Sequence, residues 1–376
     1  MTVRKSLAVV LGALAGLLLT VVPAIATPAP PAPPPLTGEH LGPDRLPHCT
    51  DVVAAMTPRD KLAQRLMVGV DGADPRATAE NVRATQVGGI FVGGNATALL
   101  TEQALRGVQA MARVPLAVAV DDEGGRVQRI DTLDGELPSA RAMARSRTPD
   151  QVRELGEQRG REQLARGITM NLAPTVDVTG ESAAIGDRSF ADDPDTVSRY
   201  AEAFVEGQRA AGIYTVLKHF PGHGRADGDS HKGRVTTPPL ADMRADDLRP
   251  YATLLGPGGP LADGRTGVLV GHLDVPGLTT DLPSSLTPEV YRLLRADVGF
   301  DGLVLTDDLG AMDAVTDEFT LPQAVERALE AGADMALWSS GGRITPVLDH
   351  LEQANLDPVA NDAAVTRVLR AKRVCS

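Results

Sequence analysis

The chain has no long run of Lys or Arg to offset a formal net charge of −12, which excludes a nucleic-acid partner and leaves neutral or locally recognised ligands. Cysteine is almost absent, with only Cys49 and Cys375 in 376 residues. No cysteine directly follows the apolar N-terminal run, so a lipid-anchored form is not expected. No glycine-rich dinucleotide fingerprint follows the first predicted strand, which removes the main support for an open doubly wound sheet. With 43% apolar and 23% charged residues, the composition is that of an ordinary globular enzyme, and wholesale disorder is excluded.

What is present begins with a leader. Arg4 and Lys5, the apolar run Leu7 to Val22 and the small-x-small ending Ala24-Ile25-Ala26 have the three parts of a secretory signal peptide, residues 1–26. An uncleaved membrane anchor is the alternative, and Thr20 and Pro23 ahead of the cleavage signature favour removal, so no stable membrane insertion is expected afterwards. Residues 27–47 are a proline-rich tether that cannot pack a core. The folded part is expected over 48–376, with Cys49 and Cys375 at its two ends. Export permits a disulfide between them if the fold brings its termini together; two free thiols are the alternative.

From Thr57 onward, helical segments alternate with short apolar strands that each end in a polar or glycine residue. Strand candidates begin at Leu66, Val87, Pro115, Ile168, Ile213, Thr266, Gly302 and Ala333. Thr57-Pro58, Thr148-Pro149 with Gln151, Thr287-Pro288 and Thr320 read as helix starts, and Val197, Tyr200, Ala201, Phe204 and Gln208 share one helical face. Eight near-continuous apolar strands alternating with helices predict an α/β fold, a single (β/α)₈ TIM-type barrel. Reactive groups in such a barrel gather where the strands end. Those ends read Asp71, Asp121, Asp177, His219, His272 or Asp274, and Asp307, the acidic ring of a hydrolase, although solvated acidic loops give the same pattern.

The densest cluster of titratable groups lies in IYTVLKHFPGHGRADGDSHKG, residues 213–233, where the apolar run stops at Leu217 and a loop over Lys218–Gly233 is expected. A retaining glycosidase needs an acid and a nucleophile on opposite sides of the scissile bond. Asp307 follows Val304-Leu305-Thr306 directly and fits a strand-end nucleophile, while Asp308 points the other way and orders the following turn. In Asp229-Ser230-His231 the aspartate can orient the ring and favour the imidazolium, so that His231 can give and then take a proton.

The segments VDDEGGRVQRI (120–130), IGDRSF (185–190), KHFPGHG (218–224), DSH (229–231) and LTDDLGAM (305–312) resemble glycoside hydrolase family 3, and more narrowly its single-barrel β-N-acetylglucosaminidase branch. The resemblance runs over roughly residues 50–372. It implies Asp307 as nucleophile, His231 as acid/base with Asp229 as its partner, and Asp121, Arg129, Arg188, Lys218 and His219 around the hydroxyl groups of the terminal sugar. Arg129 and Arg188 can instead pair with carboxylates such as Glu123 or Asp187. Two-domain members of the family take their acid from a second domain. Only two helices, about 345–354 and 360–372, are expected near the end of this chain, so the acid must come from the barrel.

The reading is a secreted, cofactor-free β-N-acetylhexosaminidase, extracytoplasmic and monomeric, acting on β-linked N-acetylglucosamine glycans or muropeptides. Related alternatives are a β-glucosidase and a β-N-acetylglucosaminide phosphorylase. A metal hydrolase using His219, His223, His231 and Asp229, or a non-catalytic carbohydrate-binding protein, are the rivals from other classes. The loop bearing His231 is expected to be mobile and to deliver the imidazole by closure, so that an unliganded structure can show it well away from Asp307 without refuting its role.

Overall fold

The computed structural model describes residues 46–94, 97–101, 103–180 and 184–376; the expected signal peptide and nearly all of the tether lie outside them. Among the described residues eight parallel strands close into a barrel in chain order. They are β1 (Leu66–Gly69), β2 (Gly89–Phe91), β3 (Ala117–Val120), β4 (Met170–Asn171), β5 (Tyr214–Phe220), β6 (Thr266–Val270), β7 (Val304–Asp308) and β8 (Met335–Trp338). Closure is made where β8 pairs with β1, Val68 opposite Trp338. Each strand begins at or within two residues of its predicted start.

The strands are apolar on both faces because both are covered. Met67, Val216, Leu269, Leu305 and Leu337 fill the barrel axis. Their alternates Val68, Val268, Val270, Val304 and Trp338 pack outward beneath the helices. The same alternation carries the chain from inward Leu305 through Thr306 to Asp307 at the mouth. Helix starts follow the predicted chemistry at Thr57, whose hydroxyl accepts the Asp60 N–H at 3.1 Å, and at Thr148, where Gln151 completes a capping box. Thr287 differs, since its hydroxyl donates to the Leu282 and Pro283 carbonyls instead. The helix Pro194–Ala211 buries the predicted face Val197, Tyr200, Ala201, Phe204 and Gln208.

The expected break at Leu217 is a correction, for β5 runs on through Phe220. Lys218 and His219 are therefore strand residues. Carboxylates from another part of the chain match the lysine's charge inside the barrel, which no local pattern reveals. The Lys218–His219 peptide is cis, and the register against β6 shifts between Leu217 and Phe220.

The chain ends meet. Cys49 is bonded to Cys375 across 326 residues, and the Ser376 N–H donates to the Pro47 carbonyl at 3.0 Å. Around the bond pack Val52, Val53, Met56, Val365 and Leu369, with Val114 from just ahead of β3, which places the staple at the end of the barrel opposite the strand C-termini. A cross-link closing so long a loop restricts the unfolded chain and is worth about 2–4 kcal/mol. Changing Cys49 and Cys375 to Ser is expected to lower the thermal midpoint while leaving kcat at 25 °C within a factor of two. A large kcat loss in folded protein would refute that separation of staple and site.

Candidate active site

At the C-terminal ends of the strands lie two adjoining cavities of about 240 and 250 Å³ that share Arg188, His219, His231 and Asp307 in their linings. The first is the barrel mouth, with Asp121, Arg129 and Lys218 on its rim and Phe91, Leu172, Leu269 and Leu337 as its apolar floor. The second extends toward Arg126, Ile185, His223 and Asp229.

The rim is built on a buried carboxylate. Glu123, just after β3, receives Arg188 in a fork, Nε at 2.8 Å and Nη2 at 2.7 Å, and Lys218 Nζ at 2.6 Å. Lys218 also donates to Asp121 at 2.6 Å. Burial alone would push the Glu123 carboxyl up, but the two cations outweigh it and hold it well below the usual range. Burial likewise pulls Lys218 down, and Asp121 and Glu123 more than restore it, so the lysine stands above its ordinary value. Arg188 Nη2 also lies 3.3 Å from His219 Nε2; a guanidinium can only donate, so that ring nitrogen accepts, and Lys218 and Arg188 are the donors facing the cavity.

His219 is aimed by Asp177, whose Oδ2 lies 2.7 Å from its Nδ1. The other oxygen of Asp177 accepts the His223 N–H at 2.7 Å. Arg129 donates to the Gln128 carbonyl at 2.7 Å and reaches Asp121 only at 3.9 Å. The two arginines thus divide between the readings offered by the sequence. Arg188 pairs with Glu123 and still lines both cavities, whereas Asp187 is taken by Arg126 at 2.6 Å.

Asp307 accepts the Asp308 N–H at 2.9 Å. Burial pushes its carboxyl up, but the His219 and His272 rings, that N–H and the Lys218 ammonium outweigh it, so it lies below its ordinary value and is ionised at neutral pH. Beneath it His272 is buried and lowered by that burial. Its Nε2 lies 3.0 Å from the Asp308 carbonyl and its Nδ1 2.7 Å from Ser285 Oγ. A carbonyl can only accept, so Nε2 carries the proton. Asp308 turns to the following loop, accepting from Gly310 N at 2.9 Å and Ser339 N at 3.1 Å.

Above the mouth, His231 Nδ1 lies 2.8 Å from Asp229 Oδ1, and the two side chains are 65% and 40% exposed. Burial would raise Asp229, yet the His231 ring and N–H lower it on balance. The loop is held over the mouth, where His231 lines the same two cavities as Asp307. Arg234 is the reason. It forks onto Asp274 at 2.9 and 2.7 Å and reaches Glu318 at 2.9 Å, while Val235 is buried against Leu273 and Val275. Strand-end Asp274 is thus a loop anchor, and Asp71 an exposed cap on the Ala73 N–H. His219, His223 and His231 bond separately to Asp177, Ser230 and Asp229.

A barrel whose mouth joins an ionised strand-end carboxylate, a donor array and a His/Asp pair is decided in family by its sequence, and the profile described as the glycosyl hydrolase family 3 N terminal domain matches residues 57–371. The chain belongs to glycosyl hydrolase family 3. Within family 3 it is 47% identical over 361 residues to the β-hexosaminidase LpqI of Mycobacterium tuberculosis, covering 92% of this chain and 89% of that protein. The solved structure of M. tuberculosis LpqI superposes with a TM-score of 0.82 at 47% identity, over 87% of this chain and 97% of that one. A family 3 β-N-acetylglucosaminidase from Paenibacillus sp. str. FPU-7 gives 0.76 at 29% identity, over 85% of this chain and 63% of that one. Glu123 and Asp177 are the residues whose organising role sequence reasoning missed. The acidic run Asp121-Asp122-Glu123 after β3 was the available signal for the first.

Proposed function

We propose that the chain is a retaining β-N-acetylhexosaminidase that removes terminal non-reducing N-acetylglucosamine from peptidoglycan-derived fragments outside the membrane. Relatives named as β-hexosaminidases, one matching 92% of the chain and another 59%, support the activity. The leader read in residues 1–26 supports export, and a cell-wall glycan is the matching substrate on that side of the membrane. The observation that carries the mechanism is that Asp307 and His231, the latter 2.8 Å from Asp229, line the same cavities.

In the first step the Asp307 carboxylate attacks the anomeric carbon. His231 gives its proton to the glycosidic oxygen, and the leaving group departs as an alcohol. In the second step His231 takes a proton from water, and the resulting hydroxide displaces Asp307 with overall retention. Lys218, Arg188, His219 and Asp121 hold the sugar hydroxyl groups. Their mutual bonds leave them rigid before substrate arrives, so little ordering remains when the sugar binds.

Initial rates on an aryl β-N-acetylglucosaminide and the matching β-glucoside, each with and without inorganic phosphate and with and without chelator, test the reading. The N-acetylglucosaminide is expected to be the far better substrate, with free sugar as product and no response to phosphate or chelator. Sugar phosphate as the main product would make the enzyme a phosphorylase, because a neutral imidazole base does not repel phosphate as a carboxylate would. Loss of activity to chelator, restored by zinc, would establish a metal hydrolase.

A further inference from the structure

The turn Pro221–Gly224, from which the Asp229–His231 segment extends, is held by two carboxylates. Asp177 accepts the His223 N–H and belongs to the site already described. The second is Asp247, which lies ahead of the helix Arg249–Leu255, is fully buried and has no part in the proposed chemistry. Its Oδ2 receives Arg225 through Nε at 3.0 Å and Nη2 at 2.5 Å. Its Cβ sits so close to the turn that a Cβ on Gly222, at φ +140°, would come within 2.5 Å of it. No other residue type fits that close approach.

Asp247 is a costly residue to keep. Its Oδ1 has no hydrogen-bond partner among the described residues, and neither does the hydroxyl of buried Tyr251; Tyr251 packs edge-on to Phe220 at 5.0 Å between centroids. Burial pushes the Asp247 carboxyl up to about 6 against the pull of Arg225. Asp246 contacts the same guanidinium at 3.2 Å and the Asp242 carbonyl accepts from it at 3.2 Å. A buried charge with one partially exposed partner is poor value for stability, and an apolar side chain of similar volume would serve the core at least as well.

Its location supplies another use. Arg225 on Asp247 clamps the start of the loop, just as Arg234 on Asp274 and Glu318 clamps its end. Residues 226–233 between the two clamps carry Asp229 and His231. We propose that Asp247 is a positioning residue for His231: by gripping Arg225 and abutting Gly222 it sets the direction in which the loop leaves β5, and with it the reach of the imidazole toward the glycosidic oxygen. This rests on the reading of His231 as acid/base.

The test compares kcat/KM for two aryl β-N-acetylglucosaminides, one with a strongly acidic phenol as leaving group and one with a weakly acidic phenol. Asp247→Asn keeps the shape and removes the charge. Arg225→Gln, changed at the other end of the pair and partly exposed, serves if the first variant folds poorly. Both are measured in the wild-type chain and in His231→Ala. Proton donation by a placed group contributes about 10²–10⁴-fold, and a misplaced one forfeits part of that. The poor leaving group is therefore expected to lose about 10–100-fold in either variant, and the good one less than about threefold. In the His231→Ala background neither change is expected to cost anything further.

Equal losses on both substrates, or a loss that persists without His231, would reduce Asp247 to a support of the fold and overturn the proposal. A single His231→Ala variant with no leaving-group dependence would overturn the acid/base reading itself, and the positioning claim with it. The two failures are distinguishable, because the second appears in the single variant alone.

Discussion

Asp307→Ala is expected to lower kcat on an aryl β-N-acetylglucosaminide by on the order of 10⁴-fold or more in a protein that remains folded. The Asp307 carboxylate sits near the end of β7, where a rigid strand fixes its approach, and among the described residues it accepts one hydrogen bond, from the neighbouring Asp308 N–H. Little of the fold depends on it. Its surroundings outweigh its burial and hold the carboxyl below its ordinary value, so the ionised form adds some stability at neutral pH and its removal should lower the thermal midpoint modestly. What is lost is the partner of the anomeric carbon, and no neighbour replaces it, because Asp308 is committed to Gly310 and Ser339. The truncated side chain leaves room for a small anion on the face from which Asp307 attacks. Added azide is expected to restore turnover and to yield the α-glycosyl azide. Near-normal rates without azide would dismiss Asp307 as nucleophile, and a β-azide would place it on the other face of the sugar.

Most of the barrel was legible because its strands are buried on both faces, so each stood out as a continuous apolar run bounded by glycine or a charge. β5 is where that signal failed. Lys218 interrupts the run, and what keeps it in the strand is Asp121, 97 residues away, together with Glu123. Reading carboxylates off strand ends picked out Asp121 and Asp307, which line the mouth, and Asp177, buried behind His219, but equally Asp71 and Asp274, which cap a turn and anchor a loop. The position of a residue after a strand tells which end of the barrel it occupies, not whether it leans over the axis or away from it. Glu123 illustrates the converse. Its importance comes from two cations delivered by β5 and by the 186–188 turn, and only closure of the barrel brings them together. The disposition of the His231 loop was likewise hidden, since Arg234 finds its anchors 40 and 84 positions further on.

For His231→Ala the expected result depends on the substrate. On a glycoside whose leaving group is a sugar or a weakly acidic phenol, kcat/KM should fall by about 10²–10⁴-fold, the usual worth of a placed general acid. On a dinitrophenyl glycoside it should fall by less than about tenfold, because that phenolate departs without a proton. The second step still needs the imidazole, since water must lose a proton as it attacks. With the activated substrate the first step therefore outruns the second, and the variant should release a burst of phenol equal to the enzyme present, followed by slow turnover. The intermediate that accumulates carries the sugar on Asp307, where mass spectrometry of the peptide containing Leu305–Met312 should find it. The exposure of the pair, 65% for His231 and 40% for Asp229, means that truncation leaves no buried cavity and should leave the thermal midpoint unchanged. A uniform loss across leaving groups with no burst would remove His231 from the proton path. The acid would then have to be sought among the other groups facing the second cavity, of which Asp229 and then His223, bonded to Ser230, are the nearest in the chain.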